Sequence, residues 1–153
     1  MPAVVICINK KEMRFVYMLL FLFSLQHSAK SQSREALLKI DSLRHKMQQL
    51  ARENKLYDIG GFYTNNAIVA GTDAVLSGKE EIEKYWQGIR GAGEDWYWEI
   101  QCVSGSDATI YQTGISYLTL KYGDVSKTYA VNFCVAWERQ DDGSYKISAD
   151  IYH

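Results

Sequence analysis

Phe62 to Trp86, F-Y-T-N-N-A-I-V-A-G-T-D-A-V-L-S-G-K-E-E-I-E-K-Y-W, is the stretch where the chain passes from helical to strand periodicity, and the remainder divides around it. Its second half reads as a helix start. Ser77-Gly78-Lys79-Glu80 has the serine-to-glutamate spacing of a capping box, in which the serine oxygen accepts a backbone amide and the glutamate reaches back to the cap. Ile82, Tyr85, Trp86 and Ile89 then fall at i, i+3, i+4 and i+7, one apolar stripe, while Glu81, Glu83 and Lys84 stay wet. Arg90 and Gly91 supply a cation and a left-handed residue for its end. In the first half, Asn65-Asn66 turns the chain out of the preceding helix and Ala67 to Ala70 makes a short strand.

Upstream, Ser33-Arg34-Glu35 caps a helix whose apolar positions Leu37, Ile40, Leu43, Met47 and Leu50 recur at three and four residues, ending near Lys55. Leu56 to Tyr63 forms a second, short helix or a bend; Gly60-Gly61 weakens the helix and implies a conformational or close-packing reason for the pair. Downstream the period falls to two. Trp96, Trp98, Ile100 and Cys102 share one face of a strand. A second strand runs from Ala108 to Tyr122, with a bulge or bend expected at Gly114. A third, Lys127 to Glu138, puts Tyr129, Val131, Phe133, Val135 and Trp137 on one side, with Asn132 and Cys134 on the other; Tyr145 to Tyr152 is the last. Helices first and an antiparallel meander after them define an α+β fold, with helices covering one face of a strongly curved sheet.

The first 31 residues read as a secretory signal peptide. Lys10, Lys11 and Arg14 precede the apolar run Phe15 to Leu25, and Ala29-Lys30-Ser31 offers small residues for cleavage, so the mature domain is expected over residues 32–153, secreted or periplasmic. An uncleaved anchor and initiation at Met13 are the alternatives. Residues 1–31 carry four of the 17 basic and one of the 18 acidic residues, leaving 13 against 17 and a net charge of −4. A mildly acidic domain with no basic cluster argues against nucleic acid as a partner. No His and carboxylate spacing suggests a metal, and no cofactor is expected. Cys102 and Cys134 fall on strands once removed, about 9–10 Å apart, too far for a disulfide, so both are expected reduced.

Residues 32–153 hold fourteen Tyr and Trp against two Phe. Such side chains face a cavity or a partner while keeping a polar atom satisfied, or simply fill a curved sheet. Asp150, inside the final strand beside Ile147 and Ile151, is the candidate general acid or base, supported by Tyr63 or Asn132; the alternative is a structural or solvated carboxylate. Asp73, His153 and His45 are weaker candidates.

Tyr63-Thr64-Asn65-Asn66-Ala67, the Ser77 to Ile82 segment leading to Tyr85-Trp86, and the ending Asp142 to Tyr152 resemble the SnoaL-like and ketosteroid-isomerase-like superfamily over roughly residues 34 to 153. The resemblance implies an α+β cone, often a homodimer, with a pocket between helices and sheet. It also shows two departures. The isomerases' proton-shuttling carboxylate matches Gly71, and their second, protonated acid matches Val135. Tyr63 and Trp86 match positions that support the oxyanion site. The expected function is therefore binding of a small apolar or aromatic molecule through Tyr63, Trp86, Asn132, Phe133, Val135, Asp150 and Tyr152. The alternatives are a dimeric association module using Tyr97, Tyr111, Tyr117 and Tyr129 on the outer sheet face, or a lyase, isomerase or hydrolase acting through Asp150.

Overall fold

The structure, a computed structural model, describes residues 32–72 and 74–153; the signal peptide read over residues 1–31, and Asp73, lie outside them. Helix α1 spans Arg34–Arg52, and Ser33 caps it as its spacing requires, the Ser33 Oγ accepting from the Ala36 N–H at 3.1 Å. Ile40, Met47 and Ala51 bury its apolar stripe against strand β3 (Gly93–Ser106). A 3₁₀ helix over Leu56–Phe62 follows. Gly60 faces helix α2 (Lys79–Gly88) there: a Cβ would lie 3.1 Å from Glu83 Cα, so only glycine lets the two helices approach this closely.

Strand β1 is longer than expected, Tyr63–Ala70, and pairs with a three-residue strand β2, Val75–Ser77, that periodicity does not reveal. The capping box is built differently from its sequence reading. Ser77 ends β2, and Gly78 at φ +85° is the N-cap, because only a left-handed residue turns the strand so sharply into α2. The reach-back comes from Glu81 instead of Glu80, its carboxylate accepting from the Ser77 N–H at 2.8 Å.

The remaining strands are β4 (Thr109–Tyr122), β5 (Val125–Arg139) and β6 (Tyr145–Tyr152), and the sheet order is β2-β1-β6-β5-β4-β3. The meander is as expected, but the sheet as a whole is mixed: β1 lies parallel to β6. The bulge expected at Gly114 belongs to the opposite strand. Ile100 pairs with Gly114 and Cys102 with Thr113, leaving Gln101 as the extra residue in β3, while the β4–β5 register runs through Gly114 unbroken. Gly114 is needed because any Cβ there would overlap the Glu99 carbonyl. Cys102 and Cys134 are both free, and Thr113, paired with each, stands between them. Among the described residues, no helix is long and apolar enough to cross a membrane.

Candidate functional site

The inner face of the sheet and helix α2 enclose a cavity of about 340 Å³. Strand alternation decides its lining. Trp96 and Trp98 come from β3, Ser116 and Leu118 from β4, Phe133 and Val135 from β5, Asp150 and Tyr152 from β6, and α2 adds Tyr85 and Trp86. The aromatic rings pack as a continuous wall: Trp86 lies 5.5 Å from Trp96, Trp96 5.3 Å from Trp98, and Trp98 4.9 Å from Phe133, centroid to centroid, in tilted and edge geometries. Two buried polar residues serve this wall and the core beside it. Ser116 Oγ accepts the Trp96 indole N–H at 2.8 Å, and Gln112 Oε1 accepts that of Trp137 at 3.0 Å.

At the floor of this aromatic enclosure stands one carboxyl. Asp150 projects from β6 between Val69 of β1 and Val135 of β5, its direct register partners. Tyr63, fully buried behind it, donates from its hydroxyl to Asp150 Oδ2 at 2.7 Å. Asp150 keeps partial exposure and lines the cavity, so its carboxyl is enclosed by protein but open to the lumen. Burial among apolar neighbours raises its pKa to about 6, against the opposing hydrogen bond from Tyr63. The same burial, with the adjacent Asp150 charge, pushes the Tyr63 phenol well above its ordinary value, so it stays a donor. Tyr85 is pushed up to about 12 by burial first, then by Tyr152 and Asp150. A carboxyl that changes charge near pH 6, held by a phenol that does not, is equipped to accept or donate a proton or to anchor one polar group.

Neither departure from the isomerase pattern is repaired by a carboxylate at the same place. A Cβ on Gly71 would fall 2.6 Å from the Tyr152 ring and 2.7 Å from its hydroxyl, so Tyr152 fills the space of any residue-71 side chain. Val135 is apolar, and the cavity's carboxyl stands on the neighbouring strand opposite it.

Of the residues nominated from sequence, Trp86, Phe133, Val135, Asp150 and Tyr152 line the cavity, and Tyr63 meets it through Asp150. Asn132 does not: the alternation that turns Phe133 inward turns Asn132 outward, where it is exposed and its backbone pairs with His153. Tyr63, and not Asn132, is thus the support of Asp150. Tyr129 likewise leaves the outer group to which it was assigned and lines the cavity. His45 is exposed on α1, its Nδ1 2.8 Å from the Asp41 carbonyl, and His153 is exposed at the end of the chain. Among the described residues, no three His, Cys, Asp or Glu side chains gather where they could hold a metal. Sequence reasoning passed over Trp96, Trp98 and Ser116, although the first two share a strand face by simple alternation.

No protein-family model and no curated protein sequence matches the chain. Solved structures do. Aln2 from a Streptomyces species, a SnoaL-like protein, superposes with a TM-score of 0.68 at 14% identity, over 81% of this chain and 94% of that one. The ketosteroid isomerase-like protein from Erwinia carotovora atroseptica gives 0.65 at 16% identity, over 78% and 96%. This is the SnoaL-like and ketosteroid-isomerase-like cone fold. A Xanthomonas campestris protein assigned to the calcium/calmodulin dependent protein kinase II association domain has the same fold, with a TM-score of 0.62 at 14% identity over 83% of this chain and 95% of that one. At these identities the likeness is one of fold, which hosts more than one kind of work.

Proposed function

We propose that the chain binds a small apolar or aromatic molecule in the cone, with Asp150 and Tyr63 as the polar anchor at its floor. The observation that carries this reading is the 2.7 Å Tyr63–Asp150 hydrogen bond at the base of an aromatic-walled cavity of about 340 Å³. Cavities of this size, mostly apolar with one convergent polar group, suit small ligands. The absence of side-chain space at Gly71 and the apolar Val135 favour binding over the isomerase reaction. Chemistry, if the site performs any, runs through Asp150 as acid or base. The N-terminal reading adds that this happens after export, in a secreted or periplasmic setting.

Isothermal titration of the purified chain with a panel of one- and two-ring aromatic compounds tests the reading. Saturable binding is expected, and Trp86→Ala, which removes part of the cavity wall, weakens it. A panel that never binds, or binding unchanged in Trp86→Ala, would remove the cavity from consideration.

A second reading has its own observation. Tyr97 and Tyr117 stack at 6.1 Å on the outer sheet face, with Tyr97 and Tyr111 exposed, a surface suited to a second copy of the chain. Light scattering at high micromolar concentration decides it: a dimer that Tyr97→Lys dissociates supports an association role, and a monomer throughout rejects it.

A further inference from the structure

The charge inventory of the cavity narrows its ligand beyond small and apolar. Among the described residues, eight of its sixteen lining side chains are Tyr, Trp or Phe, Asp150 is its single carboxyl, and no Lys, Arg or His lines it. The elements packed around Asp150 show the same imbalance. Tyr63 faces it from β1, Tyr85 comes from α2 and Tyr152 from its own strand, while its register partners are Val69 and Val135. None of these is a cation. Aromatic faces carry negative quadrupole density, so a wall of rings attracts positive charge and does nothing to compensate a carboxylate.

The hydrogen bonding of the wall is incomplete at two points: the buried Trp98 indole N–H has no acceptor among the described residues, and the carboxyl is only half satisfied. Tyr63 occupies Asp150 Oδ2, and Oδ1 has no hydrogen-bond partner among the described residues. An ionised carboxylate accepts several hydrogen bonds and gains most from a charged donor. A neutral apolar molecule filling the cavity would seal Oδ1 from solvent and leave a dry, unpaired charge, so Asp150 would have to take up a proton to admit it.

We propose that the ligand of this cavity is a protonated aromatic amine: a body of one or two rings packed against Trp86, Trp98 and Phe133, with a primary or secondary ammonium donating to Asp150 Oδ1. This rests on the ligand-binding reading above and specifies it. The cation supplies the charge the cavity lacks, the rings supply cation–π and stacking contact, and Oδ1 gives the ammonium its anchoring point. Binding is then linked to the charge of Asp150. The amine holds the carboxyl ionised and releases its proton, whereas a neutral isostere draws a proton in. Asp150 titrates near pH 6, so the amine's advantage is present above that pH and fades below it.

The test compares 1-naphthylmethylammonium with 1-naphthylmethanol, which differ in charge but hardly in shape. Each is titrated calorimetrically into the 153-residue chain at pH 5.0, 6.0 and 7.5, in two buffers of different ionisation heat. The expected result is roughly tenfold or greater preference for the amine at pH 7.5. It is accompanied by net proton release near pH 6, shrinks toward parity at pH 5.0, and is absent in Asp150→Asn. The pH series on the unmutated chain carries the same information should that variant fold poorly. Equal affinity for the two probes, tighter binding of the alcohol, or an amine preference that ignores pH overturns the cation assignment and leaves the cavity a neutral-ligand site. Binding of neither probe overturns it as well and counts against the ligand-binding reading itself.

Discussion

The Tyr63 hydroxyl donates to Asp150 Oδ2 at 2.7 Å across 87 residues of sequence. The parallel pairing of β1 with β6 creates this relationship, because it sets the first and last strands side by side with Asp150 in register against Val69. The two residues form the place where the aromatic interior meets ionisable chemistry, and their protonation has consequences that solution measurements can read.

The first consequence is a pH-dependent penalty. The folded pKa of Asp150, about 6, lies above the value of about 4 for an aspartate in an unfolded chain, so between these the folded protein binds the extra proton. Its contribution to stability is therefore fullest below about pH 4 and is lost as pH rises through 6. Asp150→Asn, which removes the ionisation, should be more stable than the wild type at pH 8 by on the order of 2 kcal/mol, and by much less at pH 4.5. Urea denaturation at the two pH values measures this. A variant destabilised equally at both would show that Asp150 is held as an ordinary structural carboxylate.

The second concerns Gly71 and Tyr152. The Tyr152 ring fills the space a residue-71 side chain would need, so Gly71→Ala should cost about 1–3 kcal/mol through displaced packing. In a Tyr152→Ala background the same substitution should be nearly neutral, since its obstacle is gone. Additive effects in this double-mutant cycle would mean that the two positions do not touch.

Two other glycines separate close approach from mere flexibility. Gly114→Ala drives a methyl into the Glu99 carbonyl beside the Gln101 bulge and should destabilise by about 1–3 kcal/mol. Gly61→Ala meets open space at a backbone that is not left-handed, and should gain about 0.5 kcal/mol by restricting the unfolded chain. Thermal melts of the two variants moving in the same direction would contradict the packing described around β3.

The parts of this structure legible in the sequence are those written locally. Ser33 and the Ile40 and Met47 stripe announce α1, and the alternations through Trp96 and Phe133 announce β3 and β5, because period and capping depend only on near neighbours. The pairing of β1 with β6 depends on the tertiary fold and has no local signature. Gly78 displaced the helix start from Ser77 because a positive φ at the strand end overrode a capping spacing that fits equally well on paper. Gly114 signalled a bulge correctly but on the wrong strand, since a glycine marks where a neighbour's backbone comes close as well as where its own chain bends. Asp150 was legible as a carboxyl in an apolar strand. Its partner was narrowed to Tyr63 or Asn132, and the choice between them rests on the pairing of β1 with β6 and on Asn132 facing outward, neither of which is written locally.

Asp150 as an enclosed carboxyl, gripped by Tyr63 and open to an aromatic cavity, underlies both the binding reading and the amine preference. Carbon-13 NMR titration of the aspartate carboxyls, in the wild type and in Tyr63→Phe, tests it most directly. Asp150 should titrate near pH 6, and losing the Tyr63 hydrogen bond, which stabilises the ionised form, should raise that midpoint further. A midpoint near the ordinary aspartate value of about 4 that Tyr63→Phe leaves unmoved would contradict it.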